Sequence, residues 1–172
     1  GNGAVKEYTW AQAVGEARKM ANYLKSLDLP PKSNIALLSK NCAHWIVADW
    51  AIWMAGHVTV PLYPTLNSET VAYILEHSEA KIAFIGKLDD WDEMKAGIPE
   101  SLPGISFDLS PDEAKITYPT WDSITSNSEA MTENTIRDPE EVATIVYTSG
   151  STGKPKGVML SFKAMAIAAQ GA

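Results

Sequence analysis

Residues 147 to 157 run Tyr147, Thr148, Ser149, Gly150, Ser151, Thr152, Gly153, Lys154, Pro155, Lys156, Gly157, placing three glycines, four aliphatic hydroxyls and two lysines in eleven positions. Glycines let backbone N–H groups turn inward and approach an anion closely, while hydroxyls and ammonium groups add hydrogen bonds and charge. Such a segment suits phosphate. It is not the nucleotide loop that runs from a glycine to Gly-Lys-[Ser/Thr] and opens a helix. The position five before Gly153 is Thr148, and Pro155 stands where a magnesium-binding hydroxyl would follow Lys154. Proline also drives Lys154 toward extended backbone. Val158, Met159 and Leu160 then read as a strand, so the segment is expected to join two strands in a hairpin.

Charge is distributed in keeping with an anion site. The net charge is −7, and residues 89–141 hold fourteen acids against three bases. From Val142 to Ala172 there is no acid, and the charges are Lys154, Lys156 and Lys163. The acidic average excludes general nucleic-acid binding, whereas the purely cationic end marks a local anion site.

Other chemistry-bearing residues lack partners along the sequence. His44, His57 and His77 have no carboxylate or cysteine at metal-ligand intervals, so structural roles are expected. Trp45, Trp50 and Trp53, five and three apart on one helix, suit core packing. Cys42 has no companion motif for a catalytic thiol. The acidic run from Asp89 to Glu93 reads as a solvated face.

The elements that must position the loop are legible upstream. Thr9 can cap a helix whose apolar positions Trp10, Val14, Ala17, Met20, Ala21 and Leu24 recur at three- and four-residue spacing, stopping near Leu27. Pro30 and Pro31 precede a buried strand at Ile35 to Leu38, after which Asn41 is the expected cap of an enclosed helix over 44–55, closed by Gly56. Val58 to Leu62 and Lys81 to Ile85 read as strands, with a helix from Ser68 between them. This alternation predicts an α/β sheet that is parallel at least in part. The stretch from 87 to 139 is acidic, carries Pro99, Pro103, Pro111 and Pro119, and is expected to be a less regular excursion from the core. Within it, Ile105 to Leu109 and Trp121 to Ile124 read as a strand and a helical turn. Ala143 to Tyr147 restores a clear strand.

A chain of 172 residues, 45% hydrophobic and 20% charged with six Trp, can bury about 70% of its extended surface, which excludes intrinsic disorder. The run from Trp45 to Ala55 is interrupted by Asp49 and is too short to span a membrane. One cysteine excludes an internal disulfide and makes a reducing, cytoplasmic compartment the simpler expectation.

Tyr147 to Gly157 resembles the phosphate loop of the adenylate-forming enzymes, which include acyl-CoA synthetases, luciferases and peptide-synthetase adenylation domains. The pattern aromatic-Thr-Ser-Gly-[Ser/Thr]-Thr-Gly-x-Pro-Lys-Gly is matched at every position. Tyr8-Thr9-Trp10-Ala11, Ser39-Lys40-Asn41, Ala55 to Leu62 and the Tyr73 to Ala80 stretch extend the resemblance, which is to the long-chain fatty acyl-CoA synthetase branch. The resemblance implies that residues 1–172 form part of an N-terminal adenylation (AMP-binding) domain, with a mixed sheet flanked by helices and the C-terminal domain absent. It implies an acid–thiol ligase that activates a long-chain fatty acid with ATP and Mg2+, releases pyrophosphate and passes the acyl group to CoA. Peripheral membrane association and oligomeric state are left open.

On this resemblance Thr148, Ser149, Gly150, Ser151, Thr152 and Gly153 hold the β- and γ-phosphates. Lys156 is the catalytic cation, Gly157 completes the nucleotide-binding set, Thr148 supplies a magnesium-binding hydroxyl, and Lys154 fills a variable position. A ribose-binding aspartate, a Gly-x-x-x-x-Glu loop and a late catalytic lysine would lie beyond Ala172, so these residues alone are expected to be inactive. A non-catalytic phosphate-binding module, an aryl-CoA ligase and a peptide-synthetase adenylation domain are the alternatives. The four retained loop hydroxyls favour the ligase.

Overall fold

Short apolar strands alternate with amphipathic helices along this chain, so the strands are buried on both faces. The computed structural model describes residues 6–149 and 153–171. In chain order the elements are α1 (Trp10–Ser26), β1 (Asn34–Leu38), α2 (Ala43–Met54), β2 (Val58–Leu62), α3 (Ser68–His77), β3 (Ile82–Ile85), α4 (Trp91–Lys95), β4 (Gly104–Ser106), α5 (Asp112–Thr117), α6 (Trp121–Ser126), β5 (Val142–Ser149), β6 (Pro155–Ser161) and α7 (Phe162–Gln170). The strands form one sheet in the order β4-β3-β1-β2-β5-β6. All neighbours are parallel except β5 and β6, which form the antiparallel hairpin.

Alternation along the strands divides the core into two layers. Ile35, Leu37, Phe84 and Ile105 face α1, α2 and α6, while Ala36, Leu38, Val60 and Ile85 face α3, α4 and α5. Burial of a Leu, Ile or Phe contributes about 1.5–3 kcal/mol, so these two layers hold the sheet rigid beneath its loops.

α1 starts where the sequence places it. Thr9 Oγ1 accepts from the Gln12 N–H at 3.2 Å and Gln12 Oε1 accepts from the Thr9 N–H at 2.8 Å, a reciprocal capping box. Thr9→Ala is expected to cost about 1 kcal/mol. The check is urea unfolding, in which the midpoint should fall with an unchanged slope.

Three expectations are corrected. Trp10 is 78% exposed and stacks on Trp50 at 6.0 Å instead of entering the core. The cap of α2 is Cys42, not Asn41, and its side chain makes no capping bond. The stretch from 87 to 139 is no excursion. It supplies β4 at the sheet edge and buries Met94, Phe107 and Trp121 completely, with the Trp121 indole donating to Glu16 at 2.9 Å. Asp92, Glu93, Asp112, Glu113 and Asp122 are exposed on short helices that bury Trp91, Met94, Ala114 and Trp121.

Candidate functional site

In the β5–β6 ladder Tyr147 lies opposite Gly157, Thr148 opposite Lys156 and Ser149 opposite Pro155. Because β5 runs parallel to β2, its C-terminal end at Ser149 lies at the carboxyl edge of the sheet. Open α/β sheets bind ligands at that edge. Residues directly opposite in an antiparallel pair share a face, with Cβ atoms about 4.5–5.5 Å apart. The Thr148 hydroxyl and the Lys156 side chain are therefore neighbours, and both residues are exposed. Two positions back on the same face, Val146 lines a cleft of about 200 Å³ with Ser39, Asn41, Trp45 and Tyr63. This cleft adjoins the hairpin at its Thr148 end.

The loop residues divide by what holds them. Gly153 has φ +90°, a conformation that favours glycine. A Cβ on Gly157 would meet Ile145 Cγ2 at 2.8 Å and Tyr147 Cζ at 3.2 Å, so packing against β5 requires a glycine there independently of any ligand. Lys154 Nζ lies 5.4 Å from the centroid of the Tyr73 ring, a cation–π contact. Gly150, Ser151 and Thr152 lie outside the described residues. Lys163 pairs with Glu140 at 2.8 Å, but no carboxylate pairs with Lys154 or Lys156 among the described residues. With no acid between Val142 and Ala172, the hairpin presents uncompensated positive charge.

The donor set suits a nucleotide and its magnesium unequally. Hydroxyls, ammonium groups and no carboxylate match polyphosphate directly. Mg2+ takes oxygen ligands, keeps several waters and is usually held by one or two carboxylates together with phosphates, so the hairpin, with the Thr148 hydroxyl and no acid, fits the metal less fully than the phosphates. Asp49, Thr59 and Thr144 form a hydrogen-bonded chain on the buried part of β2 and β5: Thr59 Oγ1 donates to Asp49 Oδ1 and Thr144 Oγ1 to the Thr59 carbonyl. Burial pushes the Asp49 carboxyl up to about 7.

Two histidine findings go beyond the sequence. His44, placed without carboxylate partners by its sequence neighbours, has Asp108 and Asp122 beside it, with one ligand atom of each residue within 4.8 Å of the others. The Lys6 ammonium already balances that pair, 2.9 Å from Asp108 and 3.9 Å from Asp122. Burial lowers the His44 pKa and keeps the ring neutral between Phe107 and Trp121. His77, in contrast, reaches the loop: its Nδ1 shares a 2.7 Å hydrogen bond with the Tyr147 hydroxyl. The four-residue spacing from Tyr73 puts both rings on one face of α3, but nothing in the sequence links His77 to Tyr147.

A sheet of this order, with this hairpin on its edge, is the N-terminal domain fold of the adenylate-forming enzymes. The chain belongs to the AMP-binding enzyme family, whose model matches residues 2–172. It is 30% identical to long chain acyl-CoA synthetase 5 of Arabidopsis thaliana over 93% of its own length and 26% of that protein. It is 33% identical to fatty acyl-CoA synthetase B of Dictyostelium discoideum, over 81% of this chain and 23% of that one. The chain thus spans about a quarter of the length of these curated relatives. Among solved structures, the anthranilate CoA ligase AuaEII in complex with anthranoyl-AMP superposes with a TM-score of 0.83 at 23% identity, covering 96% of this chain and 32% of that one.

No described helix is long and apolar enough to cross a membrane.

Proposed function

We propose that this chain is the phosphate-gripping part of an ATP-dependent ligase that joins a long-chain fatty acid to CoA through an acyl-adenylate. The observation that carries the reading is the acid-free hairpin at the carboxyl edge of the sheet, with Thr148 and Lys156 in direct cross-strand register. Similarity to long-chain and fatty acyl-CoA synthetases supports the substrate class.

The difficulty in such a reaction is repulsion: a carboxylate must approach an α-phosphate already surrounded by anionic oxygens. A protein lowers that barrier with preorganised donors and in-line positioning. The amides and hydroxyls of residues 148–153 hold the terminal phosphates so that pyrophosphate leaves along a fixed line. Lys156 neutralises charge that grows on the leaving group, and the Thr148 hydroxyl is the group that would hold a magnesium ion. When bound, the magnesium ion supplies further charge neutralisation on the phosphates. Gly157 lets β6 lie against Tyr147, which keeps Lys156 in register.

The test is acid-dependent ATP–pyrophosphate exchange by the whole protein, offered long-chain, aryl and amino acids in turn. Exchange driven by long-chain fatty acids is expected, and the 172 residues alone are expected to form no acyl-CoA. Exchange only with aryl or amino acids would move the chain to another adenylate-forming activity. MgATP binding without exchange would make it a binding module.

A further inference from the structure

Between β2 and β5 the registered ladder pair is Thr59 with Thr144, whereas β5 is paired along its length with β6. Side-chain contacts therefore help to seat the loop end of the hairpin. Tyr147 is buried, whereas Thr148 and Ser149 are exposed, so Tyr147 is the last anchored residue before the loop.

Its contacts lead to α3. The Tyr147 hydroxyl meets His77 Nδ1 at 2.7 Å, and the two rings stand edge-on at 5.8 Å and 90°. Burial raises the Tyr147 pKa, so the phenol stays protonated and able to donate. Tyr73, one turn earlier on the same face, packs on His77 at 5.4 Å and carries Lys154 over its ring. Two residues of one helix thus hold both arms of the hairpin, one at the entry to the loop and one at its exit.

We propose that Tyr73 and His77 are positioning residues for nucleotide binding, clamping Tyr147 and Lys154 so that Thr148 and Lys156 face the phosphates together. This rests on the phosphate-loop reading above. Neither residue need touch the nucleotide. The clamp also diverts Lys154 from the anion, which leaves Lys156 as the ammonium that faces Thr148.

The test uses the whole protein, three single variants and one double variant, His77→Phe with Tyr147→Phe. His77→Phe keeps a ring without the hydrogen bond, Tyr147→Phe removes the hydroxyl, and His77→Asn keeps a polar group near the Nδ1 position. One part-buried hydrogen bond corresponds to about a fivefold change in an equilibrium constant. Both Phe variants are expected to raise KM for MgATP by about that factor, with KM for the acid unchanged. The double variant should be no worse than either single one, because both remove the same bond. His77→Asn should restore most of the loss. Unchanged KM for MgATP in both Phe variants overturns the proposal, as does a fall in thermal stability that His77→Asn rescues while KM never moves. If Lys156→Ala also leaves exchange untouched, the phosphate-loop reading itself falls.

Discussion

Lys156→Ala is expected to slow pyrophosphate exchange by the whole protein by about 10²-fold or more, the effect of removing one preorganised donor from a developing anion. The side chain is exposed and lies opposite Thr148 on the open face of the hairpin, so its loss should leave the thermal midpoint where it was. A kinetic loss without a stability loss is the signature of a group that acts on substrate. Lys156→Arg should recover part of the rate, because the charge remains while the compact ammonium geometry does not. Lys154→Ala should fall far short of the Lys156 effect, since the Lys154 ammonium is held over Tyr73 and not beside Thr148. Equal effects of the two lysine variants would show that net charge, and not register, governs the site. Unchanged exchange in Lys156→Ala would remove it from the chemistry.

The site was legible in the sequence because its residue types are concentrated. Eleven consecutive positions carry the glycines, hydroxyls and lysines, and the strand pattern on either side predicts the hairpin that is present. What holds the loop was not legible, since His77 and Tyr147 are seventy residues apart and neither has a local motif that names the other. The same contrast runs through the fold. The limits of β2, Val58 to Leu62, are legible because β-branched Val58, Thr59 and Val60 lead to Leu62 between Gly56 and Pro64. The stretch from 87 to 139 was misread because β4 has three residues, and α4, α5 and α6 have five or six each. Elements that short complete too few turns or alternations to establish a period. Their contribution becomes visible only when Phe107 and Trp121 meet Phe84 and His44. Trp10 differs in the opposite sense: its spacing puts it on the apolar stripe, but as the first residue of α1 it is exposed and meets Trp50 instead of the core.

Asp49 should make the stability of this protein fall as pH rises toward neutrality. Its carboxyl is buried between α2 and β2 with the Thr59 hydroxyl as donor, and burial raises its pKa from the ordinary 3.8 to about 7. Between those values the folded chain binds a proton that the unfolded chain has released, so rising pH favours unfolding. Below about 3.8 the group is protonated in both states and contributes no penalty. Above about 7 the charge is present in both, and the full penalty, about 4 kcal/mol at 1.36 kcal/mol per pKa unit, is reached. Asp49→Asn keeps an acceptor for Thr59 and removes the charge. The variant should therefore match the native chain near pH 4 and exceed its stability by an amount that grows to about 4 kcal/mol at pH 8. Urea unfolding of both chains at closely spaced pH values measures this difference. Curves that run parallel from pH 4 to 8 would mean that the Asp49 carboxyl is ionised throughout and that Thr59 alone compensates its burial. Divergence that follows the expected window would mean that the layer beneath β5 contains a carboxyl that is neutral in mildly acidic solution and becomes charged as the pH passes about 7. The hairpin would then be seated on a polar contact whose strength depends on a single proton, through Thr59 and Thr144.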